Sequence, residues 1–437
     1  MPLRLSDLPH EILKMIVCLL DCHDICNLRL VSRAIDAAST QTHYKSFFVS
    51  NKTVELASAR VSKFADIVQH SRFAPLLQDL KITAVSESRD QGATSYASQD
   101  ADILRRTFHS LCKLHRQSHQ YCLRSLTAGV AEEATCSSRK FITQSASRIA
   151  AGGLAARTTL SLANDSDMPI EQLHLLYRTL ACSVPCCIFE SPFGSVKNSS
   201  NWSRLRCLSL TLTQHARASP EVGLDEEDDE PVYDATKEST DAGNRRVQAV
   251  VNFFSLIPDI EELNLDWYGS RISRTIPARN TQTAADYAEK LFFDKISLTV
   301  SFQRLKHLTL RGLHTTQAAL QNFLIVPTSL EQVHLAYTHL TGSFRPILDC
   351  LTSPDTGLTQ FHLDDIYEQQ KLIHFAIKGR LKISFEPEEP SPGPSEVLRK
   401  GRDVTLPLEY GFVSGQPLHG PQLALFRRRQ REQFGRI

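Results

Sequence analysis

Few residues in this chain are placed to do bond chemistry. Cys18, Cys22 and Cys26 recur every four residues with His23 beside them. On one unbroken helix they would share a face and offer thiolate and imidazole to a metal. Asp21 and Asp24 break the helix there, and structural zinc sites usually draw on close cysteine pairs set far apart in sequence. These cysteines read instead as small hydrophobes. Cys182, Cys186 and Cys187 surround Pro185 in an apolar stretch with no histidine or charged neighbour to activate a thiol. His10-Glu11 lacks the second histidine of a zinc protease helix, and no phosphate-binding or dinucleotide-binding glycine loop occurs. Gly411 to Gly415 has the wrong spacing for a nucleophile elbow. The expectation is a non-catalytic protein with no cofactor and no metal.

Composition bounds the alternatives. The 437 residues suggest two or three domains. Apolar residues make up 41% and charged residues 22%, a globular balance. Lys plus Arg is 49 and Asp plus Glu is 48, a net charge of +1, without the basic footprint of a nucleic-acid binder. No stretch approaches the ~20 apolar residues that cross a bilayer. Nothing at the N-terminus reads as a secretory signal, so the eleven cysteines are expected to be reduced thiols in the cytoplasm and/or nucleus.

The elements that organise the chain begin in its first forty residues. Pro9 suits a helix start, with Ser6 or Asp7 as a cap. Ile12, Leu13, Ile16, Leu19 and Leu20 then recur at helical spacing. A second helix is expected from Asp24 through Ile25, Leu28, Leu30 and Val31, and a third from Ser32 or Arg33. Three helices this short cannot bury so much aliphatic surface among themselves. They need a partner, in this chain or another.

The segment resembles an F-box of the fungal type, on Leu5, Leu8-Pro9-x-Glu11-Ile12-Leu13, Ile16, Leu19-Leu20-Asp21, Asp24-Ile25, Leu28 and Leu30-Val31-Ser32-Arg33. Ile35 departs from the pattern, which usually has an aromatic residue there. The resemblance implies docking on the Skp adaptor of a cullin-based ubiquitin ligase, through Leu8, Pro9, Ile12, Leu13, Ile16, Leu19, Leu20, Leu28 and Val31. The plainer reading is a helical cap on a repeat domain.

A phrase of the form apolar-x-x-apolar-x-apolar recurs along the body, starting at Leu77, Ile170, Leu205, Ile260, Leu305, Leu330 and Leu358, with a weaker copy at Leu123. Its last two apolar positions are two residues apart, as on one face of a strand. Steps of 25 residues (Leu305 to Leu330) and 28 (Leu330 to Leu358) fall in the leucine-rich repeat range. Helical patterns separate the copies. The fold class expected is an α/β repeat: a three-helix F-box followed by an irregular leucine-rich repeat solenoid, with parallel strands on the concave face and helices outside. A non-repeating α/β domain is the alternative.

Between the two inward positions of each strand lies a residue facing the concave surface: Lys81, Thr127, His174, Ser209, Asn264, Thr309, His334 and His362. With flanking positions, the candidates for holding a target are Asn264, Asp266, Trp267, Thr309, Arg311, His334, His362 and Asp364. Trp267 and Tyr268 are a candidate rim anchor, although core packing of Trp267 fits equally. His334 and His362 are expected as direct neighbours.

The domain boundaries read as an F-box at 1–42, a helical linker at 43–75, a solenoid at 76–375 and a Pro-rich segment with a basic tail at 376–437. Asp225 to Glu230 is a run of six acids inside an insertion, 221–241, expected to be disordered. Residues 86–100 and 271–284 read as further polar loops. The whole is expected to be the substrate-recognition subunit of a ubiquitin ligase, with the Skp adaptor, a cullin scaffold and an unidentified protein substrate as partners. The alternative is a Skp-binding scaffold outside any ligase.

Overall fold

The computed structural model describes residues 5, 8–20, 22–39, 52–70, 74, 77–85, 93–117, 123–131, 144–166, 169–177, 179, 182–193, 202–213, 240–267, 291–376 and 394–412. The chain divides into two compact units, Met1–Cys182 and Ser183–Ile437. That division falls inside the segment 76–375 expected as one solenoid.

The first unit opens with three helices, α1 (His10–Leu19), α2 (Cys22–Arg29) and α3 (Arg33–Ser39). Pro9 is itself the residue before α1, and its carbonyl accepts the N–H groups of Ile12 and Leu13. Ser6 and Asp7, the expected caps, lie outside the described residues. Ser32 caps α3, its hydroxyl accepting the Ile35 N–H at 3.2 Å. Helix α3 packs on both α1 and α2. Leu13, Val17, Ile25 and Ile35 are buried, so an aliphatic residue at 35 fills the place the resemblance reserves for a ring.

Four strands follow with helices between them: β1 (Lys52–Glu55), α4 (Ser58–His70), β2 (Asp79–Ala84), α5 (Ala93–Gln117), β3 (Leu123–Val130), α6 (Gln144–Asp165) and β4 (Ile170–Leu175). All pairs are parallel, β1 with β2, β2 with β3 and β3 with β4. Two expectations need correction. Segment 43–75 is not only helical, because Lys52–Glu55 adds a strand. Within 86–100, helix α5 already runs from Ala93.

The second unit repeats the pattern more regularly. Its elements are β5 (Val184–Pro185), α7 (Glu190–Phe193), β6 (Cys207–Thr213), α8 (Thr240–Ser255), β7 (Glu262–Trp267), α9 (Phe292–Thr299), β8 (His307–Arg311), β9 (His314–Thr316), α10 (Gln317–Ile325), β10 (Gln332–Ala336), β11 (His339–Thr341), α11 (Arg345–Thr352), β12 (Gln360–Asp364), β13 (Tyr367–Glu368), β14 (Lys371–Ala376), β15 (Glu396–Lys400) and β16 (Glu409–Phe412). Strands β6, β7, β8, β10 and β12 pair in parallel in that order. A smaller sheet has β9, β11 and β13 in parallel, then β14 and β16 antiparallel.

Leucine spacing explains the register. Leu208, Leu263, Leu308, Val333 and Phe361 align across the sheet, and so do Leu210, Leu265, Leu310, Leu335 and Leu363. All ten are buried. Each strand–helix unit has one apolar side, so its neighbours must supply the other. A chain of ring contacts ties successive units together, from Trp202 to Phe253, Phe254, Phe302, Phe323 and Phe293.

The turn after each late strand repeats as well. Gly312, Tyr337 and Asp365 directly follow β8, β10 and β12, and all have left-handed backbone, with φ of 72°, 52° and 54°. Their N–H groups donate to the carbonyls of Ala336, Asp364 and Ser395. Gly312 has no alternative, because a Cβ there would collide with the Trp267 carbonyl oxygen.

Strand pairing continues past residue 375. Strand β15 pairs antiparallel with β12, and β16 with β14, so part of the segment expected as a tail closes both sheets. Insertion 221–241 lies outside the described residues except for Thr240 and Asp241, which open α8. Residues 271–284 and the basic end of the chain also lie outside them. Among the described residues, no helix is long and apolar enough to cross a membrane.

Candidate partner-docking surfaces

Two surfaces collect the candidate residues. The first is the outside of α1–α3. Helix α1 is apolar on more than one side, and only one stripe can meet α3. Leu13 and Val17, four residues apart, take that stripe. Ile12, Met15 and Leu19 then point away, at 42%, 65% and 87% exposure. Of the expected docking residues, Pro9, Ile12, Leu19 and Val31 are exposed, and Leu8, Ile16, Leu20 and Leu28 are partly exposed. Leu13 is buried and serves the three-helix core, which corrects its place among them. Leu5, Met15 and Leu30 are exposed large hydrophobics that the sequence reading did not assign to docking. Large apolar side chains left exposed together on one short segment are what a protein-binding surface offers.

The second surface is the polar face of the main sheet in the second unit. Ser209, Asn264, Thr309, His334 and His362 lie in one register row. Lys81, Thr127 and His174 form the corresponding row of the first unit. Exposure is uneven. Ser209 and Asn264 are buried, with the Asn264 amide donating to the Ser209 hydroxyl at 3.1 Å and to Glu262 at 2.7 Å. Asn264 therefore knits the sheet instead of presenting itself to a target. Thr309, His334, His362, Asp266 and Asp364 are partly exposed, and Arg311 is exposed. The Arg311 guanidinium lies 5.1 Å from the Tyr337 ring centre. Trp267 is buried and stacks on Phe292 at 5.0 Å. It is a core residue, not a rim anchor, and Tyr268 lies outside the described residues.

His334 and His362 do meet, ring on ring. The Nε2–H of His362 donates to Glu396 of β15 at 3.0 Å. Glu396 was missed in the sequence because it follows a proline-rich stretch that reads as a linker.

Three thiols are held protonated. Burial pushes Cys207 up to about 12, with Glu262 adding to the effect. Burial also raises Cys182 and Cys350. Thiolate is the nucleophile and the metal ligand, so these positions suit packing. The side chains of Cys18, Cys22, His23 and Cys26 lie outside the described ones. Among the described residues, no group of three or more His, Cys, Asp or Glu is placed to hold a metal ion.

Comparison with known proteins bears on the three N-terminal helices. The sequence pattern of the F-box domain matches residues 5–35, which span α1, α2 and the start of α3. No curated protein matches the chain. F-box domains generally bind the Skp adaptor of cullin-based ubiquitin ligases, and the proteins that carry them are typically non-catalytic substrate receptors.

Proposed function

We propose that this chain is the substrate-receptor subunit of a cullin-based ubiquitin ligase, of the fungal F-box type with leucine-rich repeats. The observation that carries the reading is the F-box at residues 5–35 with Ile12, Met15, Leu19, Leu30 and Val31 turned outward from its core. Those residues would bury their apolar surface against the Skp adaptor, and a cullin scaffold would join through it. The protein would make and break no bonds itself, needs no cofactor or metal, and works in the cytoplasm and/or nucleus.

The leucine-rich repeat reading is supported by the phrase itself. Its first apolar residue sits in the turn, its last two point inward from a parallel strand, and a helix returns the chain to the next copy. The polar face around Thr309, Arg311, His334, His362 and Asp364, with Asp266 at its margin, is the proposed place for a target protein. The exposed residues there are mixed in charge, which suits a protein more than nucleic acid.

Affinity purification of the full chain, with and without proteasome inhibition, tests the proposal. Co-purification of the Skp adaptor and a cullin, with further proteins accumulating under inhibition, is the expected result. Adaptor without cullin would favour a scaffold outside any ligase. Absence of the adaptor would overturn the proposal.

A further inference from the structure

Directly before β6, β7, β8 and β10 stand Arg206, Glu261, Lys306 and Glu331, each the second residue of its copy of the repeat phrase. The backbone sets them side by side. The N–H of Glu261 donates to the Arg206 carbonyl, that of Lys306 to Glu261 and that of Glu331 to Lys306, each at 2.8 Å. Their charges alternate along the row. Glu261 meets both neighbours: its Oε2 lies 2.8 Å from Lys306 Nζ and its Oε1 3.7 Å from Arg206 Nε. Arg206 also donates to the Asp259 carbonyl at 3.0 Å, and the charge of Arg304 acts on Glu261 as well. The row ends at uncharged Thr359, whose N–H donates to the Glu331 carbonyl. Beyond it the sheet turns antiparallel at β15. In the first unit, Arg124 on β3 and Glu171 on β4 hold the same positions with the same alternation. The Arg124 guanidinium is raised above its ordinary value, first by Asp79 and further by Glu171.

The apolar positions cannot tell one strand from another. Leu208, Leu263, Leu308 and Val333 hold one inward row, and Leu210, Leu265, Leu310 and Leu335 the other. A strand that skipped its neighbour and paired with the copy two along would bury the same kind of surface. Misassembly of this sort is a characteristic failure of repeat chains. The second positions do discriminate. Correct neighbours bring opposite charges together. Skipping one copy sets Arg206 beside Lys306, or Glu261 beside Glu331. Like charges brought together penalise the wrong pairing.

We propose that the row Arg206–Glu261–Lys306–Glu331 is a conformational device that orders the repeats, admitting adjacent copies as neighbours and rejecting the copy two along. Each exposed ion pair stabilises little, so the row acts on which pairing forms during folding more than on how tightly the native one holds. The device is independent of the F-box and of any target.

The test is refolding of the full chain from urea. Trp202 and Trp267, both buried in the second unit, report the rate by fluorescence, and size-exclusion chromatography reports the fraction that returns to the native elution volume. Lys306→Met removes the attraction without adding a charge, and should refold with nearly the wild-type rate and yield. Lys306→Glu places a third acid between Glu261 and Glu331, and should lower both several-fold relative to Lys306→Met. Adding Glu261→Lys, Glu331→Lys and Arg206→Gln to it restores alternation with the opposite sign and should recover both, which separates charge order from a local defect at position 306. In about 1 M sodium chloride, where the screening length is about 3 Å, the gap between Lys306→Glu and Lys306→Met should close. Refolding of Lys306→Glu that matches Lys306→Met at low salt, or no recovery in the sign-inverted row, would overturn the inference.

Discussion

The imidazoles of His334 and His362 stack with centroids 4.4 Å apart and planes 17° from parallel. The contact follows from register, since the two residues are paired on adjacent parallel strands, and strands repeat every 4.7–4.9 Å or so. On the far side of His362, Glu396 accepts the ring N–H and fastens β15 to the sheet. Glu396→Ala removes that bond. A partly buried hydrogen bond contributes roughly 0.5–1.5 kcal/mol, so amide exchange across β15 should speed up by up to about tenfold. Unchanged protection would show that backbone pairing alone holds the strand.

Leu310 is fully buried between Leu265 and Leu335. Leu310→Ala should cost about 2–5 kcal/mol through lost burial plus a cavity, read as a lower denaturant midpoint with an unchanged slope. A midpoint equal to that of the wild type would contradict the stacked-repeat core.

Gly312 is the left-handed turn residue whose missing side chain the structure requires. Gly312→Ala should destabilise by at least the roughly 1–2 kcal/mol that left-handed backbone costs an L-residue, because the Trp267 carbonyl must also move. Tyr337→Gly, at the equivalent position, relieves backbone strain while losing the contact with Arg311. A thermal melt should rank Gly312→Ala clearly below Tyr337→Gly.

Much of this was legible from residue types. Two inward positions two residues apart specify a strand, and copies of the phrase separated by helical patterns specify the parallel strand–helix alternation found in each unit. The late, short repeats therefore emerge in register. The choice between Ile12 and Leu13 was not legible, because both are apolar neighbours on α1 and only contact with α3 selects the inward stripe. Trp267 needed Phe292, 25 residues further on, to show that it is core. Tyr337 and Asp365 hide a turn that only Gly312 announces. Strands β15 and β16 are short, and β15 follows a proline-rich stretch. Their pairing is with strands brought close by the fold, so no local pattern marks them.

Acid should weaken the strand-start turns. Glu261 accepts from Lys306 at 2.8 Å, and Arg206 lies 3.7 Å away. The bond to Lys306, then the charges of Lys306, Arg304 and Arg206, hold its carboxyl below the usual range, with burial opposing. A carboxylate with a lowered folded-state pKa contributes stability above its unfolded pKa, and loses it as pH falls through the folded value. Denaturant stability should decline below about pH 4.5, and less steeply in Lys306→Met. Identical pH profiles would remove this pair from the balance. The group is near solvent, so the effect is small.

The most direct measurement is the calorimetric affinity of the full chain for the Skp adaptor, comparing wild type with Ile12→Asp. Ile12 is 42% exposed while Leu13, Val17, Ile25 and Ile35 form the core, so the melt should stay unchanged. An unpaired carboxylate at the centre of an apolar interface is costly, and affinity should fall by roughly tenfold or more. Equal affinity of the two proteins, or no adaptor binding by the wild type, would contradict a docking role for this face.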